Sequence, residues 1–287
     1  MDHTTLTRRP RLRRPFLLAA FEGWNDAGEA ATTAIDAVSA ALDAETFATI
    51  DPEEFYDFQV TRPHVRLVDG VDRRIDWPAV ELRAARLPSA ERDLILVRGA
   101  EPNLRWRTFA REIVEVAGRF GVEMLVTVGA LLADVPHTRP VQVVGSTSDP
   151  VLADRLGLAH SNYGGPTGIL GVIADGARQA GIPSVGLWAA LPHYVDAVPN
   201  PHAALALIGR LQALLPLQVD LGALRRQTAL FDRTVEEAVA KDPELVEYVE
   251  QLEADAVEDG PTLVDRPDQL VAEVERFLRD HPGGQRP

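Results

Sequence analysis

Short apolar runs recur along the chain, and each ends in a polar turn that contains glycine, proline or an acidic residue. Segments with apolar residues at helical spacing follow several of these runs, as at residues 29–38 and 106–117. Continuous apolar runs are typical of strands that are buried on both faces of a sheet. The pattern therefore predicts the α/β class, a mostly parallel sheet with flanking helices. The runs span residues 16–21, 93–97, 124–128, 141–144 and 184–190.

Two segments depart from this alternation. Within an α/β core over residues 13–218, the segment 52–87 alternates apolar and polar positions around Asp69-Gly70, which predicts an inserted β-hairpin. From residue 219 to 281 only helical patterns occur, and they predict a C-terminal helical subdomain whose last helix spans Asp268–Arg279. Residues 1–12 and 282–287 are expected to be disordered tails.

The net charge of the chain limits the kinds of partner that we expect. The chain has a net charge of −14, and an acidic surface repels nucleic acid and anionic membranes, so we expect neither as a partner. Cysteine is absent, which removes disulfides and thiolate chemistry and suits a cytoplasmic protein. No apolar run approaches the roughly 20 residues that span a bilayer. The run after Arg13-Arg14 is too short and too acidic at its end for an export signal.

The turn at residues 22–28, between the first strand and the first helix, is the strongest candidate for chemistry. Ligands of open α/β sheets bind at the carboxyl ends of the strands, where this turn is expected. Its two glycines are followed by Glu29-Ala30, whereas a phosphate-binding loop needs lysine and a hydroxyl residue, so triphosphate hydrolysis is not predicted. Asp26 has two interpretations, a general acid or base and a plain helix N-cap.

Further polar residues follow the other predicted strands. The glycine-rich loop at 160–168 has two interpretations of equal weight, a ligand contact and a packed turn before a helix. The candidate catalytic residues are Asp26, Glu101 and His193. The candidate ligand-binding residues are Gly23, Trp24, Asn25, Asp26, Glu101, Asn103, Gly129, Arg139, Tyr163, Gly165, Thr167 and His193.

Motifs for metals and for serine nucleophiles are missing from the sequence. Neither His-x-His nor His-Glu-x-x-His occurs, so no metal site is predicted. There is also no Gly-x-Ser-x-Gly nucleophile elbow. We therefore expect no cofactor.

A set of motifs in a fixed order resembles the proteasome assembly chaperone family, most closely its bacterial branch, some of whose members carry an ATP-grasp label. The resemblance covers roughly residues 14–218. The motifs are FEGWNDAG at 21–28, FYDF at 55–58 with Arg62-Pro63, EPNLRW at 101–106, YGGPTG at 163–168 and PHY at 192–194.

The resemblance implies a core like that of nucleoside phosphorylases and peptidyl-tRNA hydrolases. It also implies trimer formation through the hairpin at 52–87 and a lid role for the helical part at 219–281. Several family members bind the proteasome core through a hydrophobic–tyrosine–any tail. This chain instead reads Gly-Gln-Arg-Pro at 284–287, so binding to the proteasome core is not expected.

Two functions remain as hypotheses. The first is a non-catalytic, trimeric, chaperone-like binding protein with a pocket for a small molecule at the carboxyl edge of the sheet. The second is a hydrolase or phosphorylase that acts on a nucleoside-like or other small polar substrate. In the second, Asp26 or Glu101 handles protons or holds a base of the substrate, and His193 with Arg139 holds an anion.

Overall fold

A computed structural model describes residues 1–69, 72–87, 90–160, 164–195, 197–215 and 217–258. This part of the chain contains eleven strands and seven α-helices. The strands are β1 Thr4–Leu6, β2 Phe16–Glu22, β3 Glu45–Ile50, β4 His64–Val68, β5 Asp72–Asp76, β6 Val80–Arg86, β7 Asp93–Ala100, β8 Met124–Ala133, β9 Val143–Thr147, β10 Ala159–His160 and β11 Ser184–Pro192. The helices are α1 Ala30–Ala41, α2 Trp106–Arg119, α3 Pro150–Leu156, α4 Ile169–Gln179, α5 Pro201–Leu214, α6 Gly222–Val239 and α7 Pro243–Glu258.

Nine strands form one sheet in the order β1-β3-β6-β7-β2-β8-β11-β9-β10. Its centre, β7-β2-β8-β11, is parallel throughout, so these four strands end at the same edge. Antiparallel pairs flank this centre on both sides. The predicted α/β class and mostly parallel sheet are confirmed.

Helices cover both faces of the sheet, which explains the continuous apolar runs. Successive residues of a strand point to opposite faces. Accordingly, Leu18 of β2 packs with Ile35 of α1 and Leu207 of α5, in the core on one face. Leu17 packs with Ile113 of α2, in the core on the other face.

The structure corrects the expectation of a disordered tail at residues 1–12. Strand β1 pairs with β3 in antiparallel register, so this segment is the outer strand of the sheet. Side-chain bonds hold it there, because the buried carboxylate of Glu112 accepts hydrogen bonds from the Thr4 hydroxyl at 2.6 Å and from the Asp2 backbone N–H at 2.9 Å. Sequence composition alone did not reveal these contacts.

The hairpin predicted within residues 52–87 is narrower than that range. Strands β4 and β5 form a separate two-stranded sheet, whereas β6 joins the main sheet between β3 and β7. After residue 217, the described chain contains the two helices α6 and α7. The predicted helix at 268–279 and the tail at 282–287 lie outside the described residues.

Candidate functional site

The first turn and the residue after β7 meet at the carboxyl edge of the sheet. The backbone N–H of Glu101 donates to the Glu22 carbonyl, so the ends of β7 and β2 stay paired beyond the strands. Asp26 forms a parallel bridge with Ala130 of the next strand, β8. The parallel topology thus brings the candidate residues of the first turn and Glu101 together, as the sequence predicts.

The carboxylate of Asp26 is bound to the beginning of α1. Its Oδ1 accepts hydrogen bonds from the backbone N–H of Ala31 at 2.7 Å and of Thr32 at 3.2 Å. Its Oδ2 accepts a hydrogen bond from the Thr32 hydroxyl. These backbone groups belong to the first turn of the helix and have no partner within it, so Asp26 acts as a helix cap.

The surroundings of Asp26 raise the pKa of its carboxyl despite these bonds. Burial raises the pKa of Asp26 to about 6, while the hydrogen bonds from Thr32 and Ala31 act in the opposite direction. Such a value is also found for catalytic carboxyls. Here the side chain is 6% exposed, and both of its oxygens are already bonded.

Glu101 joins three parts of this edge. Its Oε1 accepts hydrogen bonds from the Asn25 side-chain amide at 2.7 Å and from the Ile169 backbone N–H at 2.8 Å. Ile169 is the first residue of α4, so a carboxylate that directly follows β7 supplies the helix start with an acceptor and a negative charge. Burial raises the pKa of Glu101, against the effect of these hydrogen bonds.

Asn25 lies beneath the loop that leads into α4. Its side chain is 1% exposed and its Nδ2 donates to Glu101, whereas its Oδ1 has no hydrogen-bond partner. The amide lies against the Cα of Gly168, where an added Cβ would come within 2.4 Å of both amide heteroatoms. Gly168 is therefore required by this close approach, which supports the packing interpretation for this end of the glycine-rich loop.

Other candidates around this centre are more exposed. The Trp24 side chain is 40% exposed, and Gly23 has a φ of 111°, in a region that favours glycine. Gly165 and Thr167 are exposed in the loop before α4. Tyr163 lies outside the described residues.

Asn103 and Gly129 have structural contacts of their own. The Oδ1 of Asn103 accepts hydrogen bonds from the Asp57 backbone N–H at 2.9 Å and the Thr61 hydroxyl at 3.1 Å, and so orders the segment before the hairpin. Gly129 lies against the Trp188 ring, which would be 2.7 Å from an added Cβ. Asn103 follows the end of β7, as the strand pattern predicts. Gly129 does not follow a strand, because β8 continues through it to Ala133 with residues that stay apolar and mostly buried. Neither contact belongs to the centre around Glu101.

Arg139 and His193 belong to a second group of residues, which is covered by α7. The Nε of Arg139 is 2.6 Å from Oε2 of Glu253, and the Thr138 hydroxyl donates to Oε1 of the same carboxylate. The Nε2 of His193 is 3.0 Å from the phenol oxygen of Tyr248. Both candidates are therefore in contact with side chains of α7.

Two tyrosines and a further histidine complete this second group. The Tyr248 phenol donates to Asp134 at 3.2 Å, and burial raises its pKa to about 12, so it keeps its proton at neutral pH. The phenol oxygen of Tyr194 lies 2.8 Å from Nδ1 of His137 and accepts a hydrogen bond from its backbone N–H, also at 2.8 Å. Burial lowers the pKa of His137, so its neutral ring can accept a hydrogen bond from the phenol of Tyr194.

Sequence reasoning missed Tyr248 and Glu253. Both lie on a helix more than 100 residues after Asp134 and Arg139, and no spacing rule connects the two segments. The only available signal is the amphipathic pattern of α7, which places Tyr248, Leu252 and Glu253 on one face.

The described residues contain neither a metal-binding cluster nor a membrane-spanning helix. Among them, no set of three or more histidine, aspartate and glutamate side chains is arranged to hold a metal ion. No described helix has the length and apolar character needed to cross a membrane.

Solved structures share this architecture, two of them with clear sequence similarity. A PAC2 family protein from Streptomyces avermitilis is 48% identical, with a TM-score of 0.76 over 82% of this chain and 99% of the other. A proteasome-assembly chaperone homologue from Mycobacterium tuberculosis is 46% identical, with a TM-score of 0.74 over the same shares. The archaeal proteasome activator PbaB from Pyrococcus furiosus is 18% identical, with a TM-score of 0.69 over 83% of this chain and 99% of the other, which shows the fold alone.

No curated protein matches the chain significantly. The PAC2 family profile, in contrast, matches residues 20–239, which include the first turn, Glu101, the loop before α4 and the end of β11. The resemblance noted in the sequence is thus confirmed over most of the chain. With this match and two structural relatives at 46–48% identity, the chain belongs to the PAC2 family.

Proposed function

We propose that this chain is a non-catalytic binding protein of the chaperone type, which acts as a homo-oligomer and engages its partner or ligand at the carboxyl edge of the sheet. This proposal rests on one observation: both candidate carboxylates hold the beginning of a helix. Asp26 holds the beginning of α1, and Glu101 holds the beginning of α4. The two side chains that are the strongest candidates for a general acid or base thus have a structural role.

A catalytic carboxylate has to reach the proton that it transfers, at about 2.6–3.2 Å or through one water. At Asp26 this position is taken by groups of α1, because Oδ1 binds two backbone N–H groups and Oδ2 binds a hydroxyl. At Glu101 the Oε1 atom binds the Asn25 amide and the Ile169 N–H. At these oxygens a substrate would have to displace groups on which two helix starts depend.

The alternative of a hydrolase or phosphorylase is not favoured by the second group either. That hypothesis needs Arg139 and His193 to hold an anion. In the structure, Arg139 pairs with Glu253 and His193 contacts Tyr248. An incoming anion would first have to displace α7.

Relatives and charge support a protein as the partner. One relative at 46% identity is described as a proteasome-assembly chaperone homologue, which is a protein-binding role. The net charge of −14 disfavours nucleic acid and anionic membrane surfaces. A small molecule at the same edge remains compatible with the binding role.

The hairpin β4–β5 is the proposed contact between copies, in a trimer. Val65 lies opposite Ile75 and Leu67 lies opposite Arg73, so three apolar side chains share one face. All three are at least half exposed in the single chain. A two-stranded ribbon is marginally stable alone and gains stability when such a face is covered.

Turnover measurements test the absence of catalysis. The purified protein is incubated with nucleosides plus phosphate and, separately, with peptide esters, next to the Asp26→Asn and Glu101→Gln variants. We expect no product from the wild type above the level of the two variants. Product from the wild type that both variants fail to form would refute the proposal.

A further inference from the structure

Helix α7 binds the protein through a two-point carboxylate contact. The oxygens of Glu253 are divided between the Thr138 hydroxyl and the Arg139 guanidinium, which donates from Nε at 2.6 Å. The loop that supplies these donors is a turn between Pro136 and Pro140, in which the Arg139 N–H donates to the Pro136 carbonyl. Flanking prolines restrict the turn, so the donors are held in place before a carboxylate arrives.

An aromatic contact lies beside the carboxylate contact. The Tyr248 ring packs at 5.5 Å from the ring of His193 and edge-on at 6.0 Å from the ring of Tyr194. Its phenol also bonds to His193 and to Asp134. This side of the protein therefore accepts an aromatic ring with a polar tip.

The apolar side chains of α7 complete its contact with the protein, as in a helix that binds in a groove. Val249 and Leu252 are buried, and Tyr248 and Glu253 are half-buried on the same face of α7. The opposite face carries exposed acidic residues, among them Glu250. The protein thus holds an acidic amphipathic helix through apolar anchors, one tyrosine and one carboxylate.

Helix α7 is held less firmly than the helices of the core. Among its described side chains, Val249 and Leu252 are the two that are buried, whereas α5 buries six residues. The ion pair of Arg139 with Glu253 is partly exposed on both sides, which makes such a pair weak. Segments with few buried apolar contacts are the ones that open locally.

From these contacts we infer that residues 134–139, with His193 and Tyr194, form a receptor surface for an acidic α-helix of a partner protein. In this structure α7 fills the receptor surface from within the same chain. A partner helix that presents a tyrosine and a glutamate with the same spacing binds when α7 leaves. Arg139 provides the charge complementarity in a chain whose net charge is −14. This inference rests on the proposed binding function and names the partner's chemistry.

A labelled peptide of residues 242–258 serves as the probe, because it carries the side chains that the surface binds in the structure. In the wild type, α7 competes at the high effective concentration of an intramolecular ligand, so the peptide binds weakly. In the full-length Glu253→Arg variant, repulsion from Arg139 releases α7. We expect the peptide to bind this variant at least about tenfold more tightly than the wild type, as measured by fluorescence anisotropy.

Two controls make the result specific. Glu250→Arg introduces the same charge change on the exposed face of α7, and it should leave peptide binding at the wild-type level. The charge-swapped pair Arg139→Glu with Glu253→Arg restores the internal contact, so peptide binding should fall again. The circular dichroism of Glu253→Arg itself, compared with that of the wild type, checks that this substitution leaves the rest of the fold intact.

Three results would overturn the inference. The first is equal peptide affinity for the wild type and Glu253→Arg. The second is unchanged affinity of Glu253→Arg for a peptide in which Glu253 is replaced by glutamine. The third is self-association of Glu253→Arg by light scattering without peptide binding, which would assign the surface to α7 of a second copy. None of them affects the turnover test, so failure here is separable from failure of the proposed function.

Discussion

The side-chain amide of Asn25 donates to the carboxylate of Glu101 across 2.7 Å, and this bond ties the first turn to the strand beside it. The same oxygen of Glu101 accepts the N–H of Ile169 at the start of α4. One carboxylate therefore fixes the relative position of β2, β7 and α4. The family motifs around residues 22–28 and 101–106 meet at this point.

Replacement of Glu101 by alanine tests this role. The variant leaves the buried Asn25 amide and the Ile169 N–H without their acceptor, and each buried group of this kind costs about 1–3 kcal/mol. We expect the free energy of unfolding to fall by roughly 2–4 kcal/mol in denaturant titrations. The control Glu237→Ala changes an exposed residue of α6 and should stay within about 0.5 kcal/mol of the wild type. If the free energy of unfolding changed as little in Glu101→Ala, Glu101 would not have the proposed role in holding the first turn and α4 together.

Asp26 makes a contribution to stability that depends on pH. Because its pKa is about 6 in the folded protein and 3.8 in the reference state, the folded state binds more protons between these values. Stability from this group is therefore greatest below pH 4 and falls as the pH rises through 6, by at most about 3 kcal/mol. Asp26→Asn removes the titration and can still accept the N–H groups of α1.

The measurement is the difference in unfolding free energy between the wild type and Asp26→Asn, from pH 4 to pH 7.5. We expect this difference to shift in favour of the asparagine variant as the pH rises. Asp93→Asn is the control: burial alone would raise the pKa of Asp93, but hydrogen bonds and the charge of Arg13 lower it below its usual value. The stabilisation from Asp93 is lost only as the pH falls below about 4, so its difference should stay nearly constant from about pH 5 to pH 7.5. If the difference for Asp26→Asn did not change with pH, the pKa of Asp26 in the folded protein would be at its ordinary value.

Gly168→Ala tests the close contact between the glycine-rich loop and the first turn. The new methyl group would meet the Asn25 amide at 2.4 Å, so the loop or the turn has to move. We expect a loss of about 1–3 kcal/mol, as for other overpacked sites, measured by thermal or chemical unfolding. Gly164→Ala is the matched control, because a methyl group there meets no atom within 4 Å. An equal loss of stability in Gly164→Ala and Gly168→Ala would contradict the close contact between Gly168 and the Asn25 amide.

Ile75→Asp tests the proposed trimer contact. A charge on the apolar face of the hairpin makes its burial between copies unfavourable, so the mass in solution should fall to that of the 31.3 kDa monomer. Arg74→Asp, on the opposite face of the same strand, should leave the mass unchanged. Light scattering at several concentrations distinguishes these results. A trimer that persists in Ile75→Asp would exclude this face as the contact.

The sequence was sufficient for the central strands, because β2 and β7 are apolar on both faces and end in recognisable turns. It was not sufficient for β1, since Thr4-Thr5-Leu6 has no apolar run and its position depends on the distant Glu112. For Asp26 the sequence left two interpretations, and the bonds to α1 favour the capping role. The contact of Arg139 with Glu253 was not predictable, because it joins residues 114 apart through tertiary packing.

The position of β1 has a consequence for solubility. Without this strand, β3 would be the outer strand of the main sheet and would expose a row of unpaired backbone N–H and C=O groups. Open edges of this kind recruit strands from other chains, and natural proteins often protect them with a very short outer strand. The three residues Thr4–Leu6 have this form, so their pairing with β3 protects the protein against edge-to-edge aggregation.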